Sequence, residues 1–110
     1  MDERWISDLG TMYAMQSQHP KHRHAAIVFH DGFLIGWSNN KEGEHAEVRA
    51  LVVAHLNGFK EKLILISIAI DKEGRLKLAK PCEPCEKYCR KHGVINLYYS
   101  TREQTIRRVY

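Results

Sequence analysis

Four residues in two short motifs have the types and the spacing of a catalytic metal site. The first motif runs from His45 to Glu47, and the second is the C-x-x-C motif of Cys82 and Cys85. One imidazole and two thiolates are three ligands of the kind that tetrahedral zinc prefers. Three protein ligands leave the fourth position open to water, as in catalytic rather than structural zinc sites. We therefore predict that His45, Cys82 and Cys85 bind Zn²⁺ and that Glu47 carries protons beside them.

The C-x-x-C motif also occurs in two other kinds of site. A redox pair or half of a zinc ribbon would have the same spacing, but neither explains the His45 to Glu47 motif. A purely structural zinc needs a fourth Cys or His, and His55 and Cys89 are the nearest in sequence. His55 is expected to be a core histidine and Cys89 a buried apolar residue. A non-catalytic zinc module stays an alternative that a fourth protein ligand would support.

Length and composition favour one globular domain over residues 1–110. The chain has 110 residues, of which 44% are hydrophobic, enough for a single core. No apolar run reaches the roughly 20 residues that span a bilayer, and the acidic start at Asp2 and Glu3 does not resemble a signal peptide. We expect a soluble, cytoplasmic protein without a membrane partner.

Charge is distributed unevenly along the chain. The formal net charge is +4, with −1 over residues 1–70 and +5 over residues 71–110. A basic C-terminal part suits a substrate that carries phosphate, from a nucleotide to a polynucleotide, although it is equally typical of a solvated surface.

Periodicity and turn signals predict the elements that would position the two motifs. Asp31-Gly32 between two apolar segments predicts a tight hairpin, and Leu63–Ile70 is apolar enough for a strand covered on both faces. The two motifs fall at the starts of helices, where the helix dipole favours thiolates and carboxylates. The predicted helices are 5–18, 44–57 and 82–91, and the predicted strands are 25–30, 33–38, 63–70, 94–100 and a short antiparallel one within 105–110.

Over residues 23–100 the sequence resembles the cytidine deaminase-like superfamily, in particular its small bacterial and phage members. The resemblance is carried by the hairpin at Asp31-Gly32, by Ile35-Gly36, by Asn40, by the His45 and Cys82 motifs, and by the strand that ends at Ser100. The pattern H-x-E followed by P-C-x-x-C is the signature of zinc nucleobase deaminases.

The resemblance implies a fold, a reaction and a set of substrate contacts. The fold is α/β, with three layers of helix, sheet and helix and a five-stranded mixed sheet in the order 2-1-3-4-5. The reaction is hydrolytic deamination, in which zinc is held by the three ligands and Glu47 shuttles protons. Asn40, with Asn39 as second choice, would contact the sugar and the base edge. The remaining predicted substrate contacts are Ala46, Trp37 and Tyr98, the last two by stacking on the base.

Three hypotheses for function follow. The first is a zinc-dependent deaminase of a cytosine-type nucleoside or nucleotide, a small-molecule substrate. The second is a deaminase that acts on cytidine or adenosine in single-stranded DNA or RNA, and the third is the non-catalytic zinc module. The resemblance also implies self-association into a homo-oligomer.

Overall fold

Three helices and six strands make up the part of the chain that the structure describes. This computed structural model describes residues 3–17, 23–40 and 45–110. The helices are α1 (Glu3–Met15), α2 (Ala46–Leu56) and α3 (Glu83–Lys91). The strands are β1 (Arg23–His30), β2 (Phe33–Asn39), β3 (Leu63–Ile70), β4 (Leu76–Lys77), β5 (Val94–Ser100) and β6 (Ile106–Arg108).

The strands form one mixed sheet in the order β2-β1-β3-β5-β6, and β4 pairs with the end of β3 beside this path. β1 is antiparallel to both β2 and β3, whereas β3 and β5 are parallel. The short β6 is antiparallel to β5, which confirms the predicted orientation of the last strand. The predicted order 2-1-3-4-5 is also confirmed once β4 is left out of the numbering.

Two apolar clusters lie on opposite faces of the sheet and give the predicted three layers. One cluster joins α1 to the sheet through residues such as Ile6, Ile27 and Ile68. The other joins α2 and α3 to it through residues such as Ala50, Leu65 and Cys89. Central strands of such a sheet are covered on both faces, which explains why β3 is apolar almost throughout.

Glycines at two positions permit turns and close contacts that other residues would disturb. Asp31 and Gly32 both have positive φ, 50° and 80°, as the predicted hairpin turn requires. A Cβ on Gly36 would lie 3.1 Å from the carbonyl oxygen of Ala50, so glycine lets α2 approach β2 closely. α2 is thereby held against the sheet at the position from which its first turn reaches the candidate site.

Element boundaries differ from the predicted ones by a few residues, and one strand was missed. α2 and α3 begin at Ala46 and Glu83 rather than at 44 and 82, and Gln18 and Glu44, the predicted ends of two helices, lie outside the described residues. The sheet has six strands rather than five because β4, two residues long, is too short to produce a periodic signal. None of the described helices is long and apolar enough to cross a lipid bilayer.

Candidate metal and active site

The N-termini of α2 and α3 supply the predicted metal ligands. His45 is the N-cap of α2 and Cys82 the N-cap of α3, and both have extended backbone conformations. Neither side chain caps its own helix, so each is available to the space between the helices. Because His45 precedes the helix, its side chain and that of Glu47 in the first turn line the same pocket.

Donor atoms of the two motifs are close enough to share a metal ion. One ligand atom from each of His45, Glu47 and Cys85 lies within 4.8 Å of the others. Nδ1 of His45 is 3.6 Å from Sγ of Cys85. Zn–S and Zn–N bonds of about 2.3 and 2.05 Å at a tetrahedral angle require about the same separation. Cys82 lines the same pocket and is exposed, so the residues present fit a zinc ion.

The surroundings of Cys85 raise the pKa of its thiol. Burial, then a side-chain hydrogen bond with Cys82, then the charge of Glu47, raise the pKa of Cys85 to about 12. In the protein alone this thiol therefore keeps its proton at neutral pH, and a bound metal must displace that proton.

Glu47 is a buried carboxylate with one oxygen bonded and the other without a partner. Its side chain is 2% exposed. Oε1 accepts a hydrogen bond from the Ser67 hydroxyl at 3.1 Å, whereas Oε2 is buried and has no hydrogen-bond partner among the described residues. A buried, unpartnered carboxylate oxygen is costly, and a water molecule on a metal beside it would supply the missing partner. This is the arrangement expected of a proton carrier.

The structure adds two residues to the site that the sequence interpretation did not single out. Ser67 is fully buried in β3, and Nε2 of His24 lies 2.5 Å from its Oγ and 3.4 Å from Oε1 of Glu47. Burial lowers the pKa of His24, the charge of Glu47 opposes this, and His45 adds to the lowering. In the sequence, the only signals for these residues were that Ser67 is the one hydroxyl in the apolar β3 and that His24 stands at the start of β1.

One pocket of about 280 Å³ joins His24 to the residues of the two motifs. Two lysines, Lys77 and Lys80, contribute to its wall, and neither forms an ion pair with an acidic side chain in the described part of the chain. The pocket is lined by His24, His45, Glu47, Ala69, Lys77, Leu78, Ala79, Lys80, Pro81, Cys82 and Cys85.

Asn40 and Asn39, the predicted contacts for sugar and base, lie outside the described lining of this pocket. Oδ1 of Asn40 accepts hydrogen bonds from the Ser17 hydroxyl and the His24 backbone N–H, at 2.7 and 2.9 Å. The carbonyl oxygen of Asn39 accepts one from Arg49 at 2.7 Å. Asn40 thus holds the start of β1, where His24 enters the site.

The other predicted substrate contacts also lie outside the described lining of this pocket. Trp37 stacks on Tyr13 of α1, with ring centroids 4.0 Å apart. Tyr98 packs on the α1 face of the sheet and lines a separate cavity there. Ala46 is fully buried in the cluster beneath α2. His45, Glu47, Cys82 and Cys85 are brought together, while the contacts of Asn39, Asn40, Ala46, Trp37 and Tyr98 with substrate stay predictions.

Neither of the two remaining candidate ligands is in the described lining of the pocket. Nε2 of His55 bonds the carbonyl oxygen of His92 at 2.9 Å. Cys89 is fully buried, and burial, then the charges of Glu47 and Glu86, raise its pKa to about 12.

Comparison with known proteins identifies the fold. No family model matches the sequence, and no curated protein matches it. Among solved structures, cytidine deaminase from Burkholderia pseudomallei matches with a TM-score of 0.74 at 16% identity, over 99% of this chain and 92% of that one. The dCMP deaminase from cyanophage S-TIM5 matches with a TM-score of 0.66 at 19% identity, over 91% and 86%.

A third match is cytidine deaminase from Mycobacterium leprae, with a TM-score of 0.62 at 19% identity, over 97% of this chain and 94% of that one. The chain therefore has the cytidine deaminase fold, as the resemblance in sequence implied.

Proposed function

We propose that this protein is a zinc-dependent hydrolytic deaminase of a cytosine-type nucleoside or nucleotide. The observation that carries the proposal is the meeting of His45, Cys82 and Cys85 in one pocket, beside a buried glutamate whose Oε2 has no hydrogen-bond partner in the described part of the chain. Structural neighbours that are cytidine and dCMP deaminases support the same reaction.

The residues of the site divide the chemistry between them. Zinc held by His45, Cys82 and Cys85 would supply Lewis-acid activation of water for attack on the ring carbon that bears the amine. Glu47 would take one proton from the water at Oε2 and deliver it to the ring nitrogen. It would then take the proton of the hydroxyl added to the ring carbon and deliver it to the leaving amine. The amine departs as ammonia and the base becomes the uracil form.

The pocket supports a small substrate that carries phosphate. Its volume of about 280 Å³ is near the lower end of the roughly 300–1,000 Å³ typical of small-molecule sites. Lys77 and Lys80 give its wall a positive charge, which attracts a phosphate group. A cytosine mononucleotide fits both properties.

The test is a spectrophotometric assay of zinc-loaded protein on cytidine, deoxycytidine and their 5′-monophosphates, with ammonia measured in parallel. We expect turnover that Glu47→Ala lowers by about 10²–10⁴-fold, the usual contribution of general acid–base catalysis. Glu83→Ala is the matched control, because Glu83 is an exposed glutamate in the first turn of α3 that pairs with Lys87. Absent turnover on every substrate, or full activity of Glu47→Ala, would contradict the proposal.

The second candidate, a deaminase of single-stranded DNA or RNA, is favoured by the same two lysines and by the net charge of +5 over residues 71–110. Binding of a single strand should then weaken steeply with salt and should fall in a Lys77→Gln/Lys80→Gln variant. Deamination of mononucleotides with no salt-dependent strand binding would favour the first candidate.

The third candidate, a non-catalytic zinc module, needs a fourth protein ligand. X-ray absorption of the zinc-loaded protein distinguishes such a module from a catalytic site. The open catalytic site has two sulfurs, one imidazole and a light-atom ligand from water. Cytoplasmic location and homo-oligomerisation remain proposals, and the measured mass in solution tests the latter.

A further inference from the structure

We infer that His24 and Ser67 are positioning residues that fix Oε1 of Glu47 and so reserve Oε2 for proton transfer. The inference rests on the proposed function and deepens it, because it assigns different tasks to the two oxygens of one carboxylate.

Counting hydrogens around Ser67 sets the direction of the hydrogen bonds. The hydroxyl has one proton and faces two groups that only accept when Glu47 is ionised, Oε1 of Glu47 at 3.1 Å and the carbonyl oxygen of Ala79 at 2.9 Å. If Ser67 donated this proton to His24 instead, neither of the two acceptors would receive it. When His24 carries its hydrogen on Nε2 and donates to Ser67, the hydroxyl proton is left for these two acceptors, and the charged carboxylate oxygen of Glu47 is the stronger of them.

The position of His24 is itself fixed by the backbone. Its N–H donates to Oδ1 of Asn40, and its carbonyl oxygen accepts from the Asn40 N–H, both at 2.9 Å. In the sheet His24 pairs with Ala69, two residues beyond Ser67 in β3. The imidazole therefore enters the pocket from a fixed strand position rather than from a loop.

The consequence concerns where the proton is held. With Oε1 engaged by Ser67 and 3.4 Å from the imidazole, the carboxylate has one rotational position, and Oε2 has one direction. Placement matters in a catalytic site because a displacement of 1 Å can lower the rate by about 100-fold. His24 and Ser67 would therefore act on the catalytic step rather than on metal binding.

The experiment compares His24→Ala, His24→Gln and Ser67→Ala with the wild type. His55→Ala is the matched control, since His55 is a partly buried histidine that bonds a backbone carbonyl away from Glu47. For each zinc-loaded protein, kcat, KM, zinc content and thermal stability are measured. Carboxyl ¹³C NMR of glutamate-labelled, metal-free protein follows Glu47, whose resonance is identified by its loss in Glu47→Gln.

We expect His24→Ala to lower kcat by about 10–100-fold with KM and zinc content close to wild type. The Glu47 resonance should shift in His24→Ala and in Ser67→Ala, and His24→Gln should recover part of kcat because its amide can donate from a similar position. The double variant His24→Ala/Ser67→Ala should be little slower than either single variant, since both residues act through one hydrogen-bonded chain. His55→Ala should leave kcat, KM, zinc content and the Glu47 resonance unchanged.

Wild-type kcat in His24→Ala together with an unmoved Glu47 resonance would overturn the inference, and so would loss of zinc from that variant. If His24→Ala does not fold, His24→Gln and Ser67→Ala decide by the same criteria. If the wild type deaminates no substrate, the proposed function fails, and the NMR of the metal-free protein alone decides whether His24 and Ser67 position Glu47.

Discussion

The two faces of β3 differ in chemistry although neighbouring residues alternate between them. Ile66, Ile68 and Ile70 face α1 within an apolar cluster. Ser67, between them in sequence, is bonded to His24 and Glu47 on the side of α2 and α3. Apolar burial on the α1 face stabilises the sheet, whereas buried polar groups on the site face are tolerated because most have partners. Neighbouring residues of β3 thus stabilise the sheet on one face and contribute to the candidate site on the other.

Ile68→Ala should give the largest effect on the α1 face. Truncating a buried isoleucine costs about 2–5 kcal/mol, and the upper part of this range is expected because the neighbour across the interface is Gly10, which has no side chain to fill the cavity. The free energy of unfolding, from urea denaturation, is the measurement.

In the same variant, kcat per folded molecule should stay within about twofold of wild type, because the two faces act independently. A large fall in kcat at a temperature where Ile68→Ala is folded would break the separation between the two faces.

Zinc affinity should fall with pH on the site face. With the pKa of Cys85 raised to about 12, the thiol is protonated in the metal-free protein throughout the range from pH 6 to 8. Binding must release that proton, so affinity should weaken by at least about tenfold for each unit that pH is lowered. Competition with a chromophoric chelator at pH 6, 7 and 8 measures the slope. A slope of zero would mean that Cys85 is not a ligand.

Tyr98→Phe should give the smallest effect. Tyr98 lies on the α1 face, on the other side of the sheet from the pocket, so loss of its hydroxyl should leave kcat and KM within about twofold of wild type. Steady-state kinetics with the substrate identified by the panel check this. A severalfold rise in KM would mean that the Tyr98 hydroxyl contacts the substrate despite its place on the α1 face.

The metal motifs were predictable from sequence because their information is local. The spacings of His45 with Glu47 and of Cys82 with Cys85 state which side chains share a helix start. The helix and strand periods likewise predicted the elements and their order along the chain, whereas the order of strands in the sheet was implied by the resemblance. In the structure these side chains line one pocket, because the chain only had to bring two helix N-termini together.

The positions of His24, Ser67 and Tyr98 relative to the pocket depend on the register of the sheet, which local sequence patterns do not encode. His24 reaches Ser67 because β1 pairs with β3 so that Ala26 lies opposite Ser67 and His24 opposite Ala69. A shift by one residue would turn His24 away from the pocket. The same alternation places Tyr98 on the α1 face. No motif in the sequence indicates which residues of β5 face α1 and which face the pocket.

The division of the ligands between two helices has a consequence for folding kinetics. α2 and α3 are separated in sequence by β3 and β4, so an unfolded chain offers zinc only the two cysteines of a half-site. The full ligand set exists only after β1, β3 and β5 have paired and α2 has met α3. During refolding, tight zinc capture should therefore be a late event that marks completion of the sheet, and it would hold the chain in the folded state thereafter.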